Sequence, residues 1–294
     1  DQSARLDFFF FLLQRPPPDL SLFPYTTLFR SLVEGLGLPM RRPTLCPGCP
    51  HRASFFAIRK AQPKAIFTSD IGCYTLGLNL GAVDTCLDMG AGITMAAGFY
   101  HAFAADGETQ PVVATIGDST FFHSGTAGLI NAVYNDARFV LVILDNEITA
   151  MTGMQPTPGL GLRADGTRGK AVSIERVVEG CGIEFLRVVD PYDLAEMTRA
   201  VKEAASYTLE PDGGIAVIIA RHPCVIAYRK EAIPERKTVT VTDDCVECRL
   251  CLERFECPAL YHDEALGKTA VNQALCTGCG VCIQVCPKGA IKEV

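Results

Sequence analysis

Between about Leu32 and Arg236 the chain alternates short, unbroken apolar runs with longer Gly- and Ala-rich stretches. The runs at residues 65–68, 111–116, 139–144 and 215–220 predict strands, and the stretches at 93–105 and 125–136 predict helices. Strands that are apolar at every position are buried on both faces. With helices between them they imply an α/β fold with a parallel sheet. Such sheets bind ligands where the strands end at their carboxyl edge, so the loops after Ile116 and Leu144 are the places to look for chemistry. The apolar runs are strand-length. None approaches the roughly 20 residues that a spanning helix needs, and no membrane segment is predicted.

Two segments depart from this pattern. Residues 1–31 carry a Phe-Leu run and then Pro16, Pro17 and Pro18, without the basic start or small-residue cleavage site of a signal peptide. The composition changes abruptly at Ser31. Residues 1–31 are expected to be an unstructured or foreign leader, residues 32–238 the α/β domain, and residues 239–294 a separate small domain. The composition, 48% hydrophobic and 20% charged, is that of a chain with a real core. With 27 basic against 33 acidic residues, net charge −6, a broad nucleic-acid-binding face is excluded. The fourteen cysteines change the picture most, because eight of them lie between Cys245 and Cys286. Disulfide scaffolds are short and cysteine-rich throughout, so a reduced, cytoplasmic chain that binds metal through thiolates fits better.

The terminal cysteines form an internal repeat. The first run is Cys245, Cys248, Cys251 and Cys257-Pro258, and the second is Cys276, Cys279, Cys282 and Cys286-Pro287. A four-iron cluster needs four thiolates from a tightly turned chain, and Gly278 and Gly280 allow that turn. In two-cluster ferredoxins the fourth cysteine of each run serves the other cluster. One [4Fe–4S] cluster would use Cys245, Cys248, Cys251 and Cys286, and a second would use Cys276, Cys279, Cys282 and Cys257. Residues 239–294 thus read as a ferredoxin-like α+β domain with two clusters. The five-residue interval before Cys257 lengthens a loop without removing a ligand. Paired zinc sites are the rival reading of the CxxC spacing.

The strand ending at Ile116 runs into Gly117-Asp118-Ser119, and the next strand into Asp145-Asn146-Glu147-Ile148-Thr149. Gly-Asp-Ser followed after a second strand by Asn is the signature of a thiamine diphosphate site. Asp118, Asn146 and the Ile148 carbonyl offer hard oxygens to Mg²⁺. Gly117, Ser119 and Thr149 border the phosphates, and a helix expected to open near Ser124 points its N-terminus at them. A plain strand-to-helix turn with an N-cap is the bland alternative. His123 could handle a proton or the substrate carboxylate, and His51 could orient a substrate or cluster; capping or packing is the competing role for each. The Gly- and Pro-rich residues 152–170 are expected to form a loop over the cofactor. His101 and His262 are expected on the surface, and Cys86 and Cys181 in the core.

Together, Cys46-Pro47-Gly48-Cys49-Pro50-His51-Arg52, Asp70-Ile71-Gly72-Cys73-Tyr74, the Gly117 to His123 segment and the Asp145 to Gly153 segment resemble one family. It is the alpha subunit of indolepyruvate:ferredoxin oxidoreductase, within the 2-oxoacid:ferredoxin oxidoreductases, and the resemblance runs from about residue 32 to the end. It implies thiamine-dependent oxidative decarboxylation of aryl pyruvates to aryl acyl-CoA. Coenzyme A would be the acyl acceptor, ferredoxin the electron acceptor and a smaller beta subunit the partner. It also implies a third [4Fe–4S] cluster at Cys46, Cys49, Cys73 and Cys224; ordinary buried thiols are the alternative for the last two. Members of the family carry a further α/β domain that supplies the activating glutamate, so the sequence is expected to be the C-terminal portion, inactive alone.

Two other function classes make different demands. A ferredoxin-type electron-transfer protein fused to a non-catalytic α/β scaffold would hold iron without thiamine. A non-oxidative thiamine decarboxylase would leave the clusters without a purpose.

Overall fold

The structure is a computed structural model, and it describes residues 43–294. Residues Thr44–Val294 form one compact unit; the expected leader, residues 1–31, lies outside the described residues. The unit opens on the Cys46–Cys49 turn and helix α1 (Pro50–Ala61), started by Pro50 at a position where its missing N–H costs nothing. Strand β1 (Ile66–Ser69), a 3₁₀ turn at Cys73–Leu78, β2 (Thr85–Cys86), α2 (Ala91–Ala105) and β3 (Val112–Gly117) follow. Helix α3 then runs from Asp118–Thr120 through a π turn at Phe121–Gly125 into Thr126–Tyr134. After it come β4 (Val140–Asp145), the short pair β5 (Ile148–Thr149) and β6 (Gln155–Pro156), α4 (Ile174–Gly180), β7 (Phe185–Val189), α5 (Leu194–Tyr207) and β8 (Ala216–Arg221).

Six strands form one parallel sheet in the order β2-β1-β3-β4-β8-β7. Alternation along β4 explains why its sequence is apolar throughout. Val140, Val142 and Leu144 face α1 and α5 with Phe55, Ile58, Met197 and Val201. Leu141 and Ile143 face α2, α3 and α4 with Ile93, Leu129 and Val178. Burying about 25 cal/mol per Å² of such apolar surface drives the layering. Residues 239–294 add α7 (Leu250–Glu253) and α8 (Val281–Val285), with α6 (Arg229–Ala232) just before them. They also add two antiparallel ribbons, β9 (Val239–Val241) with β12 (Ile291–Glu293), and β10 (Leu260–Asp263) with β11 (Lys268–Val271). Phe255, Leu260, Val281 and Ile291 join the apolar cluster on the α1–α5 side of the sheet.

Three expectations need correction. The helix expected near Ser124 begins at Asp118, directly after Gly117, because the π turn absorbs an extra residue and conceals the helical phase. Cys86 and Cys181 are half-buried at the margins of the two apolar clusters, not within them: Cys86 lies on a two-residue edge strand and Cys181 caps a helix. His262 is half-buried in β10, whereas His101 is exposed. No helix among the described residues is long and apolar enough to cross a membrane.

Candidate functional site

Four neighbouring parallel strands deliver polar side chains to one edge of the sheet, their carboxyl ends. Asp70 and Cys73 follow β1, Asp118 follows β3, Asp145 and Asn146 close β4, and Arg221, His222 and Cys224 close β8. The turn after β3 and the turn after β4 meet through Ser119 and Thr149, whose hydroxyls lie 2.7 Å apart. Asp118 is buried. Its Oδ1 accepts from the Ser119 N–H at 2.7 Å, while Oδ2 is buried with no donor. Burial, then the neighbouring Asp145 carboxylate, pushes Asp118 up to about 8. Asn146 Oδ1 accepts from the Ile148 N–H at 3.3 Å across Glu147, held at φ +65°. An undonated carboxylate oxygen beside an amide oxygen and a second carboxylate is a donor set suited to a hard divalent cation. The residues therefore fit Mg²⁺ and a diphosphate at the start of α3.

The walls of this edge are held by polar contacts. Arg221 Nε donates to Asp145 Oδ2 at 2.6 Å and its Nη1 to Glu175 Oε1 at 2.7 Å; this guanidinium holds Glu175 at about 2. The Tyr74 hydroxyl donates to Asp70 Oδ1 and sits 3.0 Å from Thr120 Oγ1. Asp70 Oδ2 accepts from the Gly90 N–H at 2.8 Å, in a turn where φ +96° requires glycine. A Cβ on Gly117 would approach the Tyr74 ring to 2.5 Å, so glycine there lets the β3 turn pass close to the ring. His51, in the first turn of α1, is buried and pushed down to about 4 by that burial. Its Nε2 lies 3.3 Å from Asn146 Nδ2. His123, by contrast, is exposed on the π turn. Residues 152–170 fold back so that Gly159 lies beside Thr157 and the Phe122 ring, next to the Asp118 turn.

The cysteines gather in three sets. Cys245, Cys248, Cys251 and Cys286 line one cavity with Thr269, Pro287 and Ile291. Cys251 Sγ lies 3.6 Å from Thr269 Oγ1, and the Ala290 N–H donates to Cys286 Sγ at 3.3 Å. Cys282 interacts electrostatically with Cys279, Cys257 and Cys276, so the Cys257 thiol reaches over from the first run to the second. Burial pushes Cys282 and Cys279 up. In the third set Cys46 interacts with Cys224, and Cys73 with Cys224 and Cys46. Burial pushes Cys49 up to about 12, opposed by the nearby backbone N–H groups of His51 and Arg52; the Arg52 N–H donates to the Cys49 carbonyl at 3.1 Å. Each set offers soft thiolate donors. Among the described residues, no three His, Cys, Asp or Glu side chains surround a position for a single metal ion.

Asp145, Asp70, Tyr74 and Arg221 were not anticipated as site residues. The Asp145 position was legible, since it ends an apolar strand beside Asn146. Asp70 and Tyr74 lie in a segment that carries the family resemblance, but nothing in its spacing shows that Asp70 pairs with Tyr74 on the following 3₁₀ turn.

Comparison with known proteins agrees with this geometry. The thiamine pyrophosphate enzyme, C-terminal TPP binding domain, matches residues 70–220, and the 4Fe-4S binding domain matches residues 269–292. The chain is 49% identical over 261 residues to the indolepyruvate oxidoreductase subunit IorA of Archaeoglobus fulgidus, covering 86% of this chain and 40% of that protein. It is 44% identical to the IorA of Pyrococcus horikoshii, with 87% and 41% covered, and 41% identical to that of Methanothermobacter marburgensis, with 88% and 41% covered. The chain thus spans about two-fifths of the length of these curated relatives. A 2-oxoglutarate:ferredoxin oxidoreductase from Magnetococcus marinus shares the fold, with a TM-score of 0.50 and 18% identity over 62% of this chain and 64% of that one. The thiamine profile alone takes in half of the sequence, and by it the chain belongs to the thiamine pyrophosphate enzymes, as their C-terminal TPP-binding domain.

Proposed function

We propose that this chain is the cofactor-bearing part of a 2-oxoacid:ferredoxin oxidoreductase that decarboxylates aryl pyruvates oxidatively. In this reading Asp118, Asn146 and the Ile148 carbonyl hold Mg²⁺, and Gly117, Ser119 and Thr149 border the diphosphate. Thiamine diphosphate, when bound, supplies an acidic carbon that adds to a 2-oxo group and a sink for the electron pair left as CO₂ departs. The chain's own part is to bind, orient and conduct. Arg221 fixes Asp145 against the cation site, and buried, neutral His51 orients the Asn146 amide. Loaded with [4Fe–4S] clusters, the three cysteine sets would supply a one-electron path toward ferredoxin. Coenzyme A takes the acyl group, a smaller beta subunit completes the enzyme, and the thiolate chemistry suits the reducing cytoplasm.

The observation that carries the reading is the contact between Asn146 and His51. It joins the phosphate-side turn to the start of α1, where the Arg52 N–H donates to the Cys49 carbonyl at 3.1 Å. A thiamine site and a cysteine set this close have a common purpose in removing electrons from a 2-oxoacid; a non-oxidative decarboxylase has no use for the second.

The test is cofactor content. After anaerobic purification and reconstitution the chain should bind thiamine diphosphate only with Mg²⁺, and hold about four irons per complete cysteine set. Stoichiometric zinc with no charge-transfer absorption would overturn the electron path. Iron without Mg²⁺-dependent thiamine binding would leave an electron-transfer protein on a non-catalytic scaffold.

A further inference from the structure

Arg52 is one of the most deeply buried charges in the chain, at 1% exposure. It lies in the first turn of α1, where a cation opposes the helix dipole and gains nothing from it. Nη1 donates to the carbonyls of Phe255 and Glu256 at 2.7 and 2.6 Å, and Nη2 to the Leu45 carbonyl at 2.5 Å and Thr44 Oγ1 at 3.2 Å. These acceptors are neutral. Nε is buried with no acceptor, while almost all other buried side-chain donors among the described residues are satisfied. A buried, incompletely bonded guanidinium is costly unless a negative group compensates it. The titratable groups that interact with it are Cys257, Cys49, Glu256 and Cys46. Three of these are cysteines, and they belong to two different sets.

The two sets abut at this point. The Gly48 Cα faces Thr277 so closely that a Cβ would come within 2.4 Å of Thr277 Oγ1. The Tyr192 hydroxyl donates to the Gly48 carbonyl, and Gln284 Nε2 donates to the Tyr192 carbonyl at 2.7 Å. Arg52 closes the same seam from the other side, by gripping the two carbonyls just before Cys257. The remaining set, Cys245, Cys248, Cys251 and Cys286, lines a cavity to which Arg52 does not contribute.

We propose that Arg52 is a positioning residue shared by two iron–sulfur clusters, the common counter-cation of the Cys46–Cys49–Cys73–Cys224 set and the Cys257–Cys276–Cys279–Cys282 set. The inference rests on the cluster reading above. Each cluster gains a negative charge on reduction, so a fixed cation beside it favours the reduced form and raises the potential. One guanidinium acting on both sets moves the two potentials together. Electrons then pass between them without a large step, while the third set keeps an independent potential.

The experiment is an EPR-monitored redox titration of the anaerobically reconstituted chain, with iron analysis, on the wild type, Arg52→Gln and Arg52→Lys. Arg52→Gln should lower the potentials of two clusters by at least a tenfold change in the one-electron equilibrium, about 59 mV, and leave the third unchanged. Arg52→Lys keeps the charge and should stay within that interval of the wild type. Fully loaded Arg52→Gln with unmoved potentials overturns the proposal while leaving the cluster reading intact, as does an equal shift in Gln and Lys. A wild type that takes up no iron overturns the cluster reading itself, and this proposal with it. Should Arg52→Gln not fold, pulsed EPR on reduced wild type labelled with ¹⁵N-arginine asks the same question. A ¹⁵N coupling that disappears in Arg52→Lys supports the role, and absence of any ¹⁵N coupling in the wild type overturns it.

Discussion

Asn146 Nδ2 lies 3.3 Å from His51 Nε2, two side chains that are 95 residues apart in sequence and both buried. An amide nitrogen only donates, so Nε2 is the bare nitrogen of a neutral imidazole, consistent with burial having pushed His51 down to about 4. The bond fixes which end of the Asn146 amide faces the β3 turn. With nitrogen committed to His51, the oxygen is the end left for Ile148 N–H and for a cation.

Replacing His51 by Phe keeps the volume and removes the acceptor. The Asn146 amide then loses a buried partner, at a cost of roughly 1–3 kcal/mol. Denaturant unfolding should show that loss. Titration calorimetry should show affinity for thiamine diphosphate with Mg²⁺ reduced about tenfold, equivalent to about 1.4 kcal/mol. An unchanged affinity would mean that the amide orients itself without the imidazole.

Asp118 should behave as a residue kept for binding at the expense of stability. Its Oδ2 has no donor and its neighbour is another carboxylate. Asp118→Asn puts a neutral group that can donate to Asp145 in this position and removes the cost of holding a proton on a buried carboxyl raised to about 8. Without cofactor the variant should be more stable by roughly 1–3 kcal/mol. Its Mg²⁺-dependent affinity for thiamine diphosphate should fall at least about 100-fold, or roughly 3 kcal/mol. The two measurements must move in opposite directions; a variant that is less stable and still binds would contradict the assignment.

Asp70 carries a pH dependence whose sign can be worked out. Burial pushes its carboxyl up from an ordinary 3.8 to about 6, against the Tyr74 and Gly90 donors that oppose the shift. Between those values only the folded state holds the proton, so this group favours folding below pH 4, and the advantage is lost as the pH rises through 6. The full effect is about 2–3 kcal/mol. Chemical denaturation at pH 4 and pH 7 should show the wild type losing that much more over the interval than Asp70→Asn, in which the position no longer titrates.

Much of this arrangement is legible in the sequence. The four anticipated strands are present, each displaced by one residue, because pairing continues through Gly117 and Asp145, which hydropathy alone assigns to loops. The turns that carry Asp118 and Asn146 meet through Ser119 and Thr149. What the pattern hides is physical. Strand β7 has exposed positions and an arginine in its middle, so it lacks the continuous apolar signature of the inner strands. Helix α3 begins six residues earlier than expected because the π turn breaks its 3.6-residue period. Arg52 reads as an ordinary solvated helix charge; only the tertiary fold shows it buried under Phe255.

The cysteine runs allow a final test that spacing alone cannot decide. If each run served its own cluster, removing Cys257 would empty the first site and removing Cys286 the second. The placement of the thiols favours the crossed pairing proposed above. Cys286 borders the cavity of Cys245, Cys248 and Cys251, and Cys257 interacts with Cys279 and Cys282. Arg52 should therefore feel the loss of one and not of the other. In Cys257→Ala the iron content should fall by up to about four, the surviving signals should include an unaltered Cys245-type cluster, and the shift caused by Arg52→Gln should then appear in one cluster only. In Cys286→Ala the same iron should be lost, but both Arg52-sensitive clusters should remain. Iron counting alone gives the same answer for the two variants, so the titration of the double variants with Arg52→Gln is the measurement that separates crossed ligation from uncrossed.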